Sequence, residues 1–119
     1  MTKRSSVTQV ELSSVLTSYK QDSEGMSNPV PKMANKHHDK MHSSYKVLRK
    51  TNEGRNGIMA LMADPSPYVR CSAAAHSLTW DPNRARQVLL ALRDSNGACS
   101  FEALMILRQF DKGELTFDF

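Results

Sequence analysis

Asp64-Pro65-Ser66-Pro67-Tyr68-Val69-Arg70-Cys71-Ser72-Ala73-Ala74-Ala75-His76-Ser77-Leu78 is the stretch whose reading decides the fold. Upstream, Ile58, Met59, Leu61 and Met62 form the apolar side of a short helix. Two prolines two residues apart end it, because the residue before a proline is pushed out of the helical region. Ser66 then reads as an N-cap with Pro67 at the first helical position, where a missing N–H loses no internal bond. Val69, Cys71, Ala73, Ala74, Ala75 and Leu78 continue as a helix whose small side chains let neighbouring helix axes approach closely.

The same grammar recurs downstream. Trp80-Asp81-Pro82 is again an aspartate cap followed by proline, and Val88, Leu89, Leu90 and Leu92 fill the helix behind it. Ser95-Asn96-Gly97 is a turn. Phe101, Leu104, Met105, Ile106, Leu107 and Phe110 fill a further helix, Gly113 follows its end, and Phe117 and Phe119 form a tail able to fold back on the core. A shift of thirty residues lays Ile58 on Val88, Met59 on Leu89, Met62 on Leu92 and Asp64 on Asp94; after one deletion, Ala74 meets Ala103 and Leu78 meets Leu107. Each copy is a helix, an aspartate-led turn and a helix. One such hairpin cannot bury its inner face alone, so stacked copies share a core.

Upstream, residues 6–24 read as a helix opened by a capping box, Thr8 to Glu11, with Val10, Val15, Leu16 and Tyr19 on its apolar side. Gly25 is placed as its left-handed stop. Asn28-Pro29 reads as cap and first position of a second helix, along which Val30, Met33, Ala34, Met41, Tyr45 and Leu48 recur at helical spacing as far as Lys50. Residues 51–57, with two glycines and two asparagines, read as a connector.

No segment alternates with period two, so the expected fold is all-α with about six helices. The expected organisation is a single domain over 1–119: an N-terminal helix pair at 6–50, two hairpins at 55–112 and a tail at 113–119. With 119 residues, 39% apolar and 24% charged, the composition is that of an ordinary folded chain rather than a disordered one. It holds no apolar run long enough to span a membrane and no apolar leader after its basic first residues. The two cysteines, Cys71 and Cys99, lie far apart in helical patterns and read as buried, reduced thiols, which fits a cytoplasmic protein.

The block Asp64-Pro65-Ser66-Pro67-Tyr68-Val69-Arg70, with Ala73, Ala74 and Leu78, resembles a HEAT-type helical repeat. From about residue 30 to 115, including Asn35 to Asp39, His76 and Lys112-Gly113, the chain also looks like a family of short bacterial HEAT-like proteins of unknown function. The resemblance implies a right-handed α–α superhelix of HEAT-like hairpins, with Asp64 capping the helix after the turn or pairing with Arg70. The second copy, Asp94-Ser95-Asn96-Gly97, departs from the pattern, since no Val-Arg pair follows it. The family carries no catalytic residues.

Enzyme motifs are missing: no phosphate-binding glycine loop, nucleophile elbow or zinc-helix signature occurs, and no cofactor is implied. His37, His38 and His42 form the densest cluster of ligating side chains. His38 and His42, at i and i+4, are weak metal candidates, and a small metal-dependent enzyme built on the three histidines is the alternative function. Charge is uneven. Residues 1–57 hold ten Lys and Arg against five Asp and Glu, whereas residues 58–119 hold six against seven. The lysines of the second helix, among them Lys36, Lys40 and Lys46, make its outer face basic. Without arginine runs or interleaved aromatics, that face argues for a protein partner over nucleic acid, weak nucleic-acid binding being a further alternative. His76 and Trp80, four apart at a helix end, with Arg84 beyond the turn, are the remaining candidate binding residues, since Trp and Arg anchor interfaces. The leading expectation is a non-catalytic protein-interaction module, such as an inhibitor, immunity or regulatory protein.

Overall fold

A computed structural model describes residues 9–117, and among these there are six α-helices and no strand. They are α1 (Gln9–Gly25), α2 (Pro31–Leu48), α3 (Asn52–Ala60), α4 (Pro67–Ser77), α5 (Pro82–Asp94) and α6 (Ser100–Asp111), with a 3₁₀ turn at Leu61–Ala63 between α3 and α4. None is long and apolar enough to cross a membrane. The chain divides into two compact units, with the boundary between Gly57 and Ile58.

In the first unit α1 packs along α2. Its core holds Leu12 and Tyr19 from α1 and Met41, Tyr45 and Leu48 from α2; each large side chain taken fully out of water contributes roughly 1.5–3 kcal/mol. The arrangement corrects three expectations. Gly25 is not left-handed, since the positive-φ glycine among the described residues is Gly113; Gly25 instead gives space to the His37 ring, whose Cγ would lie 2.4 Å from an added Cβ. Helix α2 starts at Pro31 rather than Pro29. Val30 precedes a proline and is held extended (φ −85°, ψ 113°), and Asn28 Oδ1 accepts from the Val30 N–H at 2.9 Å. Residues 52–57 are helical rather than a connector. Thr51 Oγ1 accepts the Gly54 N–H at 2.9 Å, and Gly54 and Gly57 serve close approaches: an added Cβ would sit 2.0 Å from the Leu48 carbonyl oxygen and 2.9 Å from Leu16 Cδ2, respectively. The capping residue Thr8 lies outside the described residues.

In the second unit every residue from Cys71 to Leu78 is buried, which makes α4 its central helix. It touches the 3₁₀ turn, α5 and α6, and α5 packs on α6. The caps read from sequence are in place: Ser66 Oγ accepts the Val69 N–H, Asp81 Oδ1 accepts the Arg84 N–H, and a proline occupies the first turn of each helix. Helix α6 ends in a Schellman motif, with the Gly113 N–H on the Phe110 carbonyl, the Glu114 N–H on the Gln109 carbonyl, and Gly113 at φ 73°. The tail then returns to α4, where Phe117 meets His76 edge-on with ring centroids 4.6 Å apart; Phe119 lies outside the described residues. Of the pairs laid together by the thirty-residue shift and its deletion, Met62 and Leu92, Ala74 and Ala103, and Leu78 and Leu107 are buried in both copies, whereas Ile58 is buried and Val88 half-buried, and Met59 half-buried and Leu89 buried.

Candidate functional site

Helix α2 is two-sided. Met41, Tyr45 and Leu48 bury one side. Lys32, Lys36 and Lys40, at successive i+4 steps, lie exposed on the other, with exposed Lys50, half-exposed Lys46 and one acid, Asp39. No carboxylate among the described residues pairs with Lys32, Lys36 or Lys40. The basic face read from sequence is thus a continuous cationic row on a rigid element.

The structure disperses the three histidines read as a cluster. His37 turns toward α1, where its Nδ1 donates to Asp22 Oδ1 at 2.8 Å, the imidazole resting over Gly25. His38 is exposed, with Nδ1 3.8 Å from Asp39 Oδ1. His42 is buried, its ring 5.7 Å from that of Tyr45. The i, i+4 spacing of His38 and His42 therefore joins a solvent-facing ring to an inward one. Among the described residues no three His, Cys, Asp or Glu side chains are placed to hold a metal ion. The Asp22–His37 pair was not legible in the sequence, because its partners lie on different helices.

In the second unit the proposed binding set separates by depth. His76 is 2% exposed and belongs to the core with Phe117, so it offers no surface anchor. Helix α4 ends at Ser77, and Trp80 lies half-buried in the turn behind it. Arg84 is exposed near the start of α5, where its N–H meets the Asp81 cap at 3.4 Å. Arg70 clamps the Asp64–Pro65 turn through backbone: Nη1 donates to the Asp64 carbonyl at 2.9 Å and to the Pro65 carbonyl at 2.8 Å. Asp64 Oδ2 accepts the Ser66 N–H at 3.0 Å, so Asp64 orders the turn while Ser66 caps α4. The turn after Asp94 is built differently. Arg93 Nε donates to its neighbour's carboxylate at 2.9 Å, and Ser100 Oγ donates to the Arg93 carbonyl at 2.6 Å.

Cys71 of α4 and Cys99, the N-cap of α6, are both buried and free, as their helical patterns implied. One feature escaped the sequence. Along α6, Phe101 (67% exposed) and Met105 (37%) leave an apolar edge in solvent. Compared with known proteins, the chain matches no protein-family model, no curated protein and no solved structure.

Proposed function

We propose that the chain is a non-catalytic binding module that engages an acidic surface of a protein partner, the role of an inhibitor, immunity or regulatory protein. The observation that carries this is the exposed row Lys32, Lys36 and Lys40 on α2, without carboxylate partners among the described residues. A cationic row attracts an oppositely charged surface during diffusion and acts mainly on the association rate. The face carries lysines as point charges and no exposed aromatic ring, and it lacks the stacking platform on which single-stranded nucleic acids bind. In the second unit, half-buried Trp80 and exposed Arg84, four residues apart in sequence, are the aromatic and cationic contact residues of the same reading. The dispersal of His37, His38 and His42 leaves the metal-enzyme alternative without a converging ligand set. The Arg70 clamp on the Asp64–Pro65 turn, and the packing of α4 on the preceding 3₁₀ turn and of α5 on α6, support HEAT-like helical hairpins in the second unit.

The test is affinity purification from native cells with the unaltered chain and with Lys32→Glu/Lys36→Glu/Lys40→Glu, in low and high salt. A protein retained in stoichiometric amount by the unaltered chain and lost from the triple variant fits the proposal, with association slowed ~10–100-fold at low salt. Recovery of nuclease-sensitive material instead would replace the protein partner with nucleic acid.

A further inference from the structure

Helix α6 buries one side and leaves the other in solvent. Ala103 and Leu107 are buried, and the helix packs on α5 and touches α4. The outer side carries Phe101, Glu102, Met105, Arg108 and Gln109, all exposed. Phe101 (67% exposed) and Met105 (37%), four residues apart, form one apolar stripe along it. Among the described residues neither Glu102 nor Arg108 has an ion-pair partner, whereas Asp111 at the end of the same helix is paired with Arg86.

These side chains are arranged symmetrically about Met105. Phe101 and Gln109 stand four residues to either side of it, and Glu102 and Arg108 three. With about 1.5 Å of rise and about 100° of turn per residue, Glu102 and Arg108 each lie about 4.5 Å along the axis from Met105 and about 60° around it, in opposite senses. A two-fold axis through Met105, perpendicular to the helix, therefore sets two copies of α6 antiparallel. It brings each Glu102 opposite the other copy's Arg108, each Phe101 opposite the other copy's Gln109, and Met105 against Met105.

We propose that the outer face of α6, centred on Met105, docks a second copy of this chain antiparallel across that two-fold axis. Opposite charges at equal spacing about an apolar centre make the face complementary to itself, which is the requirement of a two-fold contact. A strongly acidic or basic partner would match only one of the two charges. The half of the chain that carries α6 is also close to neutral, with six Lys and Arg against seven Asp and Glu over residues 58–119, so net charge does not oppose its pairing. The face of a single helix falls at the small end of specific interfaces, below about 1,200 Å², so the dimer is transient and dependent on concentration. This contact is separate from the basic face of α2.

The experiment is sedimentation equilibrium of the full chain in low salt from about 10 μM to about 1 mM, the range in which weak association is read. The expected result is a monomer–dimer equilibrium with no larger species, because a two-fold face closes at two copies. Met105→Lys, which sets like charges against each other at the axis, should abolish the dimer. Glu102→Arg and Arg108→Glu should each weaken self-association roughly tenfold, since each turns two attractive pairs into repulsive ones. Both charges also suit the helix dipole, Glu102 in the first turn and Arg108 in the last, so circular dichroism and urea unfolding must show each variant folded. The decisive arm mixes the Glu102→Arg and Arg108→Glu chains: both cross-copy pairs are attractive again, and a one-to-one dimer should form about as tightly as in the unaltered chain. Recovery on mixing cannot arise from a change in helix stability, which mixing leaves as it was. A monomer at every concentration, larger open-ended species, a dimer indifferent to Met105→Lys, or no recovery on mixing would each overturn the proposal.

Discussion

Replacing Gly25 with alanine pits helix propensity against the seat of His37. Gly25 is the last residue of α1 and its φ is not positive, so alanine meets no backbone strain there. In an exposed helix interior this change is worth up to ~1 kcal/mol in favour of alanine, and less at a last position. The added Cβ would lie 2.4–2.6 Å from three atoms of the His37 ring. The imidazole must swing away, which breaks its bond to Asp22 Oδ1. Hydrogen bonds involving a charged group contribute roughly 1.5–3 kcal/mol, and the 31% exposure of the His37 side chain places this one at the lower end. The net expectation for Gly25→Ala is a loss of about 1 kcal/mol, or roughly 4–8 °C of melting temperature for a unit this small. Urea unfolding and thermal melts followed by circular dichroism measure it. In a His37→Ala background the obstacle is gone, and the same substitution should become neutral or stabilising. If Gly25→Ala stabilises the chain with His37 present, the Asp22–His37–Gly25 arrangement is wrong.

Arg70→Ala should destabilise the second unit by roughly 2 kcal/mol, since one guanidinium nitrogen holds two turn carbonyls; urea unfolding of Arg70→Lys should show only partial recovery. Ser77 Oγ is buried with no hydrogen-bond partner among the described residues, so Ser77→Ala should be neutral or stabilise by up to ~1 kcal/mol in the same assay. Cys71 lowers the Cys99 thiol, against burial and Glu102. Its thiolate therefore forms below the ordinary pH for a thiol, and the rate of Cys99 alkylation should reach half-maximum there; Cys71→Ala should move that midpoint upward, and an unmoved midpoint would remove Cys71 as the cause.

The second unit was more legible in the sequence than the first because its boundaries are set by residues acting on their nearest neighbours. Ser66-Pro67 and Asp81-Pro82 each cap a helix through an atom three residues away, and Gly113 takes the positive φ that ends α6. The glycines of the first unit misled for the opposite reason. Gly25, Gly54 and Gly57 make room for His37, Leu48 and Leu16, and a requirement set by a packed neighbour leaves no local pattern to distinguish it from a helix breaker. Asn28-Pro29 had the right cap chemistry, but Pro31 imposed the later start on α2. The basic face of α2 was readable because helical spacing alone projects it. His76 was misplaced because spacing does not reveal depth, and the meeting of Asp22 with His37 depends on helices packing together.

The claim that α2 docks on an acidic protein surface is tested most directly by photo-crosslinking in native cells. A photoreactive residue at exposed Ser43, seven residues after Lys36 and so on the same side of α2, reports on the basic face, and one at exposed Asn83 on α5 serves as control. The account predicts one dominant protein adduct at position 43, lost in Lys36→Glu/Lys40→Glu and sharply reduced by salt, with no matching adduct at position 83. Equal labelling at both positions, an adduct indifferent to charge reversal, or an adduct to nucleic acid alone would contradict it.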